Sequence, residues 1–397
     1  MNNVNFHDSL YAPFGGFQLD KAPFSKIVLK KRWSSVVYCP NPEEREPGSM
    51  YPRAIEVITD KDGESKLLAT FECYTFKQPS FPIYESVDKG KSWKLVGKVE
   101  DTMNGYGCRY QPHLYQLQSN CGKLNKGTIL CAGNIIPDDF SSTSLQIFSS
   151  TDYGKSWEYI SEIINGGKAE VDPSDGKRPV WEPFLIDDGN GVLFCFYSDE
   201  QYAETHGYNQ ALLHKKSYDG GISWTEAKLD VAFPGGLLRP GMPVITKTGS
   251  SYVMVYEIVN QDRVPVYFRK SDSLDDWGEL DFMGNPIVAS NGEYLSGTPY
   301  VTWIPYGGEE GTILATGRGF SHIMANSLAG DGFWEKQEKM LDVDNLMGFT
   351  GYSQCIIPIN TGKQILNLCP VNISNKSAMI VSAVADVYEQ VWRKEKL

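Results

Sequence analysis

One eight-residue pattern, S-x-D-x-G-x-S-W, occurs three times in this 397-residue chain, at Ser86–Trp93, Ser150–Trp157 and Ser217–Trp224. The copies start 64 and 67 residues apart, and degenerate copies follow at Ser271–Trp277 and around Ser327 to Trp334. Three full matches at a near-constant period identify a repeat architecture, whose units fold alike and bury their faces against each other. The residue types explain the motif as a turn. Ser and Asp oxygens accept bonds from turn N–H groups, Gly supplies a positive φ, and Trp anchors the hairpin in apolar packing.

Between the motifs, short β-rich runs such as 191–198 and 251–259 alternate with Gly, Asn and Asp turns. A period of roughly 60 residues holds one four-stranded blade with its loops, and radially arranged blades leave only short protected edges. The expected class is therefore all-β, a six-bladed β-propeller. Five motifs account for five blades. The sixth is expected to begin near Gly351, with inner strands in 352–359 and 363–371, and to close with N-terminal residues around 25–32. No linker separates a second domain, so residues 1–397 are read as one unit.

Composition then narrows the partners. Lys and Arg number 37 against 49 Asp and Glu, a net charge of −12. That field repels polyanions, and no basic run offers a track for phosphates, so nucleic acid and anionic membranes are excluded as partners. A neutral oligo- or polysaccharide fits better, and the 12% aromatic content suits both sheets and sugar-stacking surfaces. The eight cysteines form no C-x-x-C pair, so no structural zinc site is expected and most read as small buried hydrophobes. No cofactor motif is present, and a monomer is the expectation. Residues 1–30 carry no signal-peptide core; the reading is cytoplasmic if Met1 is the native start and secreted if a leader was removed.

Strand polarity locates the site. The inner strand of a blade starts at one end of the channel and the second strand returns there, so the repeated turns sit at the far end. The starts of the inner strands carry Arg53, Gln111, His113, Trp181, Glu182, Arg239 and Tyr352; the ends of the second strands carry Glu72, Asn134, Asp199, Glu200, Glu257 and Arg318. One mouth thus collects carboxylates, arginines and aromatics, as a binding or catalytic site requires. Glu257 follows the apolar run 252–256, and Glu182 is framed by Trp181 and Pro183. Partial desolvation there tunes a carboxyl.

The repeated turns, together with Tyr51-Pro52-Arg53, Gln111-Pro112-His113, Trp181-Glu182-Pro183, Ser198-Asp199-Glu200, Arg239 to Pro243 and Tyr256-Glu257, resemble glycoside hydrolase family 93 of the sialidase superfamily, over residues 50 to 360. The resemblance implies a retaining exo-enzyme that releases arabinobiose from linear α-1,5-L-arabinan. It places the two catalytic glutamates on Glu182 and Glu257 and an active-site tyrosine on Tyr352. Glu182 is taken as acid/base and Glu257 as nucleophile, although sequence alone fits the reverse equally. Arg53, His113, Trp181, Asp199, Arg239 and Arg318 are the expected substrate contacts, and the chemistry calls for no metal.

Two other readings share this fold. In a sialidase, Arg53, Arg239 and Arg318 would clamp a substrate carboxylate, and Tyr352 with Glu257 would form the nucleophilic pair; Glu182 would then have no role. A non-catalytic carbohydrate-binding propeller needs no two carboxyls at one sugar.

Overall fold

The computed structural model describes residues 25–41, 46–59, 64–74, 78–170, 178–341, 350–374 and 376–391. Their strands form six four-stranded antiparallel sheets, five of them meanders of consecutive strands, giving the six-bladed propeller. The inner strands of blades 1 to 6 are Ser49–Ile58, Cys108–Gln116, Val180–Asp187, Arg239–Lys247, Tyr300–Ile304 and Cys355–Ile359. The second strands are Ser65–Cys73, Ile129–Ile135, Leu193–Asp199, Tyr252–Val259, Thr312–Thr316 and Gln364–Asn372. Both sets are almost wholly buried, which is why they read as continuous apolar runs rather than alternating ones. In blade 6 the outermost strand is Ser25–Tyr38, which pairs with Ala378–Val391 from Ser25 opposite Val391 to Tyr38 opposite Ile380. The first and last described strands therefore lie in one sheet.

The repeated turns join third and outer strands, away from the mouth. In the first, Gly90 N–H donates to Ser86 Oγ (2.8 Å), while Ser92 donates to Asp88 through both its N–H (2.9 Å) and its hydroxyl (2.6 Å). The same contacts recur at 150–156 and 217–223, and Gly90, Gly154 and Gly221 all have φ between +82° and +88°. The turns also latch blades: Trp93 Nε1–H reaches Ser382 Oγ of blade 6, and Trp224 Nε1–H reaches Ser161 Oγ of blade 2.

Two details differ from the sequence reading. The blade 5 copy begins at Asn326, not Ser327, because Asn326 Oδ1 accepts from the N–H groups of Leu328 and Gly330 (both 2.9 Å) as the motif serine does elsewhere. An amide oxygen serves this turn as well as a hydroxyl. The tryptophans of the three intact copies are half-buried, whereas Trp277 and Trp334 of the degenerate copies are 4% and 1% exposed. The degenerate motifs anchor more deeply than the complete ones.

Trp334→Ala is accordingly expected to cost about 3–5 kcal/mol in urea unfolding, and Trp157→Ala clearly less. Equal losses would contradict this ranking of the anchors.

Candidate active site

At the mouth every blade has the same backbone irregularity. Tyr51, Gln111, Glu182, Met242, Thr298 and Ser353, one per blade, have φ between +38° and +63°. In blades 1 to 4 the residue lies at a register break between inner and second strands. Five of the six are followed by proline, which has no N–H to offer a strand partner. A bulge re-aims the side chain and frees a backbone N–H. Here that N–H turns to the preceding blade. Gln111 N–H donates to Glu72 Oε1 (2.8 Å), Glu182 N–H to Gln111 Oε1 (3.0 Å) and Met242 N–H to Glu182 Oε2 (2.7 Å). Thr298 N–H donates to Glu257 Oε2 (2.5 Å) and Ser353 N–H to Thr298 Oγ1 (2.9 Å).

This chain sets two carboxyls face to face. Glu182 Oε2 also accepts from the Ser198 hydroxyl (2.7 Å). Gly241 lies between Glu182 and Glu257: a Cβ there would stand 3.7 Å from Glu182 Oε2 and 3.8 Å from Glu257 Oε1. The oxygens are therefore no farther apart than the sum of those distances, and a Cβ at this position would also meet Gln210 Nε2 at 2.8 Å.

Burial, and then the Glu182 charge, push the Glu257 carboxyl up to about 7. Burial also raises Glu182, but the Ser198 and Met242 donors and the charges of Arg239 and Arg53 oppose it. A third carboxyl, Glu72, accepts from Tyr74 Oη–H (2.7 Å) and is raised by burial to about 7. Tyr352 stands among the three: burial, then the charges of Glu182, Glu72 and Glu257, hold its hydroxyl well above the ordinary value. Its ring packs with Met50, Tyr51, Met242 and Tyr74, and the Arg318 guanidinium lies 5.5 Å from its centre.

The remaining expected contacts divide. Trp181 is half-buried and donates from Nε1 to Glu200 Oε1 (2.8 Å), which also holds Arg239 Nη2 (2.5 Å). Arg318 is exposed at the rim. Arg53, only 2% exposed, lies beneath the pit with its guanidinium on Pro52 O (2.8 Å), Ser353 O (3.1 Å) and Ser353 Oγ (2.9 Å). His113 belongs to the wall between blades 2 and 3. Its Nδ1 accepts Leu185 N–H (3.1 Å), its ring lies 4.2 Å from that of Phe184, and burial and then Arg53 hold it neutral. Asp199 is also buried and accepts Gln201 N–H (2.7 Å). The structure thus turns His113 and Asp199 into the scaffold rather than into the pit. Sequence reasoning passed over Ser198 and the Met242 N–H as partners of Glu182. The signal available for Met242 was the recurring X-Pro step.

Among the described residues no group of three or more His, Cys, Asp or Glu is placed to hold a metal ion, and no helix is long and apolar enough to cross a membrane. All eight cysteines are free, six of them buried.

Neither a protein-family model nor a curated protein sequence matches the chain. Solved structures do. An α-L-arabinanase of Penicillium chrysogenum, solved with arabinobiose, is 33% identical with a TM-score of 0.80, over 90% of this chain and 98% of that one. A GH93 α-L-arabinofuranosidase of Fusarium graminearum, also solved with arabinobiose, is 32% identical with a TM-score of 0.80 over the same shares. A sialidase of Streptococcus pneumoniae shares the fold alone, at 8% identity and a TM-score of 0.55, over 89% of this chain and 70% of that one.

The raised Glu257 carboxyl makes stability depend on pH. The folded state binds more protons than the unfolded state between the ordinary glutamate value and about 7, so stability falls as pH rises through that window. Glu257→Gln should therefore be more stable than the parent at pH 8, by on the order of 1–3 kcal/mol, and gain little near pH 4. An advantage of equal size at both pH values would contradict the assignment.

Proposed function

Because the chain belongs to glycoside hydrolase family 93, we propose that it is a retaining exo-hydrolase of linear α-1,5-L-arabinan or its oligosaccharides, releasing arabinobiose. The observation that carries this reading is the pair Glu182 and Glu257 facing one another across Gly241. Retention needs a protonated acid at the leaving oxygen and a carboxylate about 5–5.5 Å away to attack the anomeric carbon. The two relatives solved with arabinobiose point to the same disaccharide.

We assign the two roles in the reverse of the order taken from sequence. Burial raises Glu182 too, but two donors share one of its oxygens where Glu257 has one, and we assign it the nucleophile's role. Glu257, raised to about 7, carries the proton to the leaving oxygen and then takes one from water, as a general acid/base must. Tyr352 lies among these groups and is available to the ring region of the oxocarbenium-like transition state. The exposed Arg318 and the Arg239–Glu200 pair with Trp181 form the polar rim. A sialidase reading is disfavoured, since Arg53 is spent on Ser353 and Pro52 and Arg239 on Glu200, leaving no three-arginine clamp.

Incubation with linear arabinan and with sialyl-lactose is expected to yield arabinobiose from the first and nothing from the second; sialic acid release would overturn the proposal. For the roles, Glu182→Ala with azide should give a glycosyl azide of inverted configuration. Glu257→Ala with azide and an aryl substrate should give the retained one, by interception of the covalent intermediate. Swapped products would reverse the two roles.

A further inference from the structure

The rim of the pit is not uniform. On blades 3 to 5 it is charged, with the Arg239–Glu200 pair and Arg318. Across blades 1 and 2 it is aromatic. Tyr74 follows the second strand of blade 1, Tyr110 lies at the start of the inner strand of blade 2, and Phe140 sits in the loop after the second strand of blade 2. All three are on the mouth side and half-buried. Their ring centres are 5.9 Å apart from Tyr74 to Tyr110 and 6.4 Å from Tyr110 to Phe140. The line begins at the reaction centre, because Tyr74 packs in one cluster with Tyr51 and Tyr352 and its hydroxyl donates to Glu72.

Phe140 is the telling member. It has φ +57°, where a bulky side chain is rarely found, and such strain collects at functional positions. Neither Phe140 nor Tyr110 belongs to a hydrophobic core cluster, so neither is placed to fill the core. Phe140 is nevertheless fixed: its N–H donates to Pro137 O (3.0 Å), its O accepts Ala169 N–H (2.8 Å), and the Arg109 guanidinium, held by Asp138 at 2.6 Å, lies 5.0 Å from its ring centre.

We propose that Tyr74, Tyr110 and Phe140 form a platform for arabinose units on the leaving-group side of the cleaved bond. The inference rests on the arabinan-hydrolase reading above. An exo-acting pit encloses the terminal sugars, so the rest of the polymer must cross the rim. The charged sectors can bond sugar hydroxyls, whereas a row of flat rings packs on the C–H faces of successive sugars and loses little rotamer freedom on binding. In another aromatic group on this face, around His206, Tyr202 and Tyr208 pack against the core of blades 2 and 3.

The test compares 4-nitrophenyl arabinobioside, which has no sugar beyond the cleaved bond, with linear arabino-oligosaccharides of increasing length. Phe140→Ala and Tyr110→Ala are expected to lower kcat/KM on the longer oligosaccharides about tenfold, chiefly through KM, and to leave the aryl substrate unchanged. Phe140→Leu, which keeps apolar bulk without a flat ring, should lose as much, and Tyr208→Ala should lose nothing on either substrate. Equal losses on both substrates, or none at any chain length, would overturn the platform while the parent activity stands. A parent protein that cleaves neither substrate overturns the hydrolase reading and the platform with it.

Discussion

The mouth depends on one constraint: each inner strand enters through a residue of positive φ whose N–H, in five blades, is held by a side chain of the blade before it. A non-glycine residue held there costs about 1–3 kcal/mol, and a hydrogen bond returns about 0.5–1.5 kcal/mol to a neutral acceptor and about 1.5–3 kcal/mol to a charged one. The terms are of similar size, so a bulge and the carboxyl it binds stabilise each other and neither is independent. Glu72, Glu182 and Glu257 are each acceptors in this chain, and Glu182 is also a donor to it. Its backbone is aimed by blade 2 and its carboxyl is held by blade 4.

The same arrangement explains why the pit is electrostatically costly. Three carboxyls and Tyr352 share a space from which water is largely withdrawn, and burial raises all four. Desolvation penalises the charged form of each group. Natural sites accept such costs where activity needs tuned groups, and the surrounding apolar strands offset them.

Much of this was legible in the sequence because the repeat fixes blade period and strand polarity fixes the face. Those two facts suffice to gather Glu182, Glu257 and Tyr352, which lie far apart in the chain. The bulges were present as X-Pro steps at 51–52, 111–112, 182–183, 242–243 and 298–299, but a dipeptide signifies nothing until its place on an inner strand is known. His113 and Asp199 show the opposite limit. A polar residue at a strand end reads alike whether it enters the pit or bonds the next blade, and only the packing of Phe184 and the Gln201 N–H decides. The bonds of the Glu182 carboxyl were illegible for a related reason, since its donors come from Ser198 and from Met242 of another blade.

The central claim is that Glu182 attacks while Glu257 manages the proton. Peptide mass mapping tests it most directly, on Glu257→Ala protein quenched in acid during turnover of 4-nitrophenyl arabinobioside. That substrate departs without a proton, and the missing base slows hydrolysis of the intermediate. The account predicts one arabinobiosyl unit on the peptide that carries Glu182. An adduct on the peptide carrying Tyr352, or steady product release with no adduct on any peptide, would contradict it.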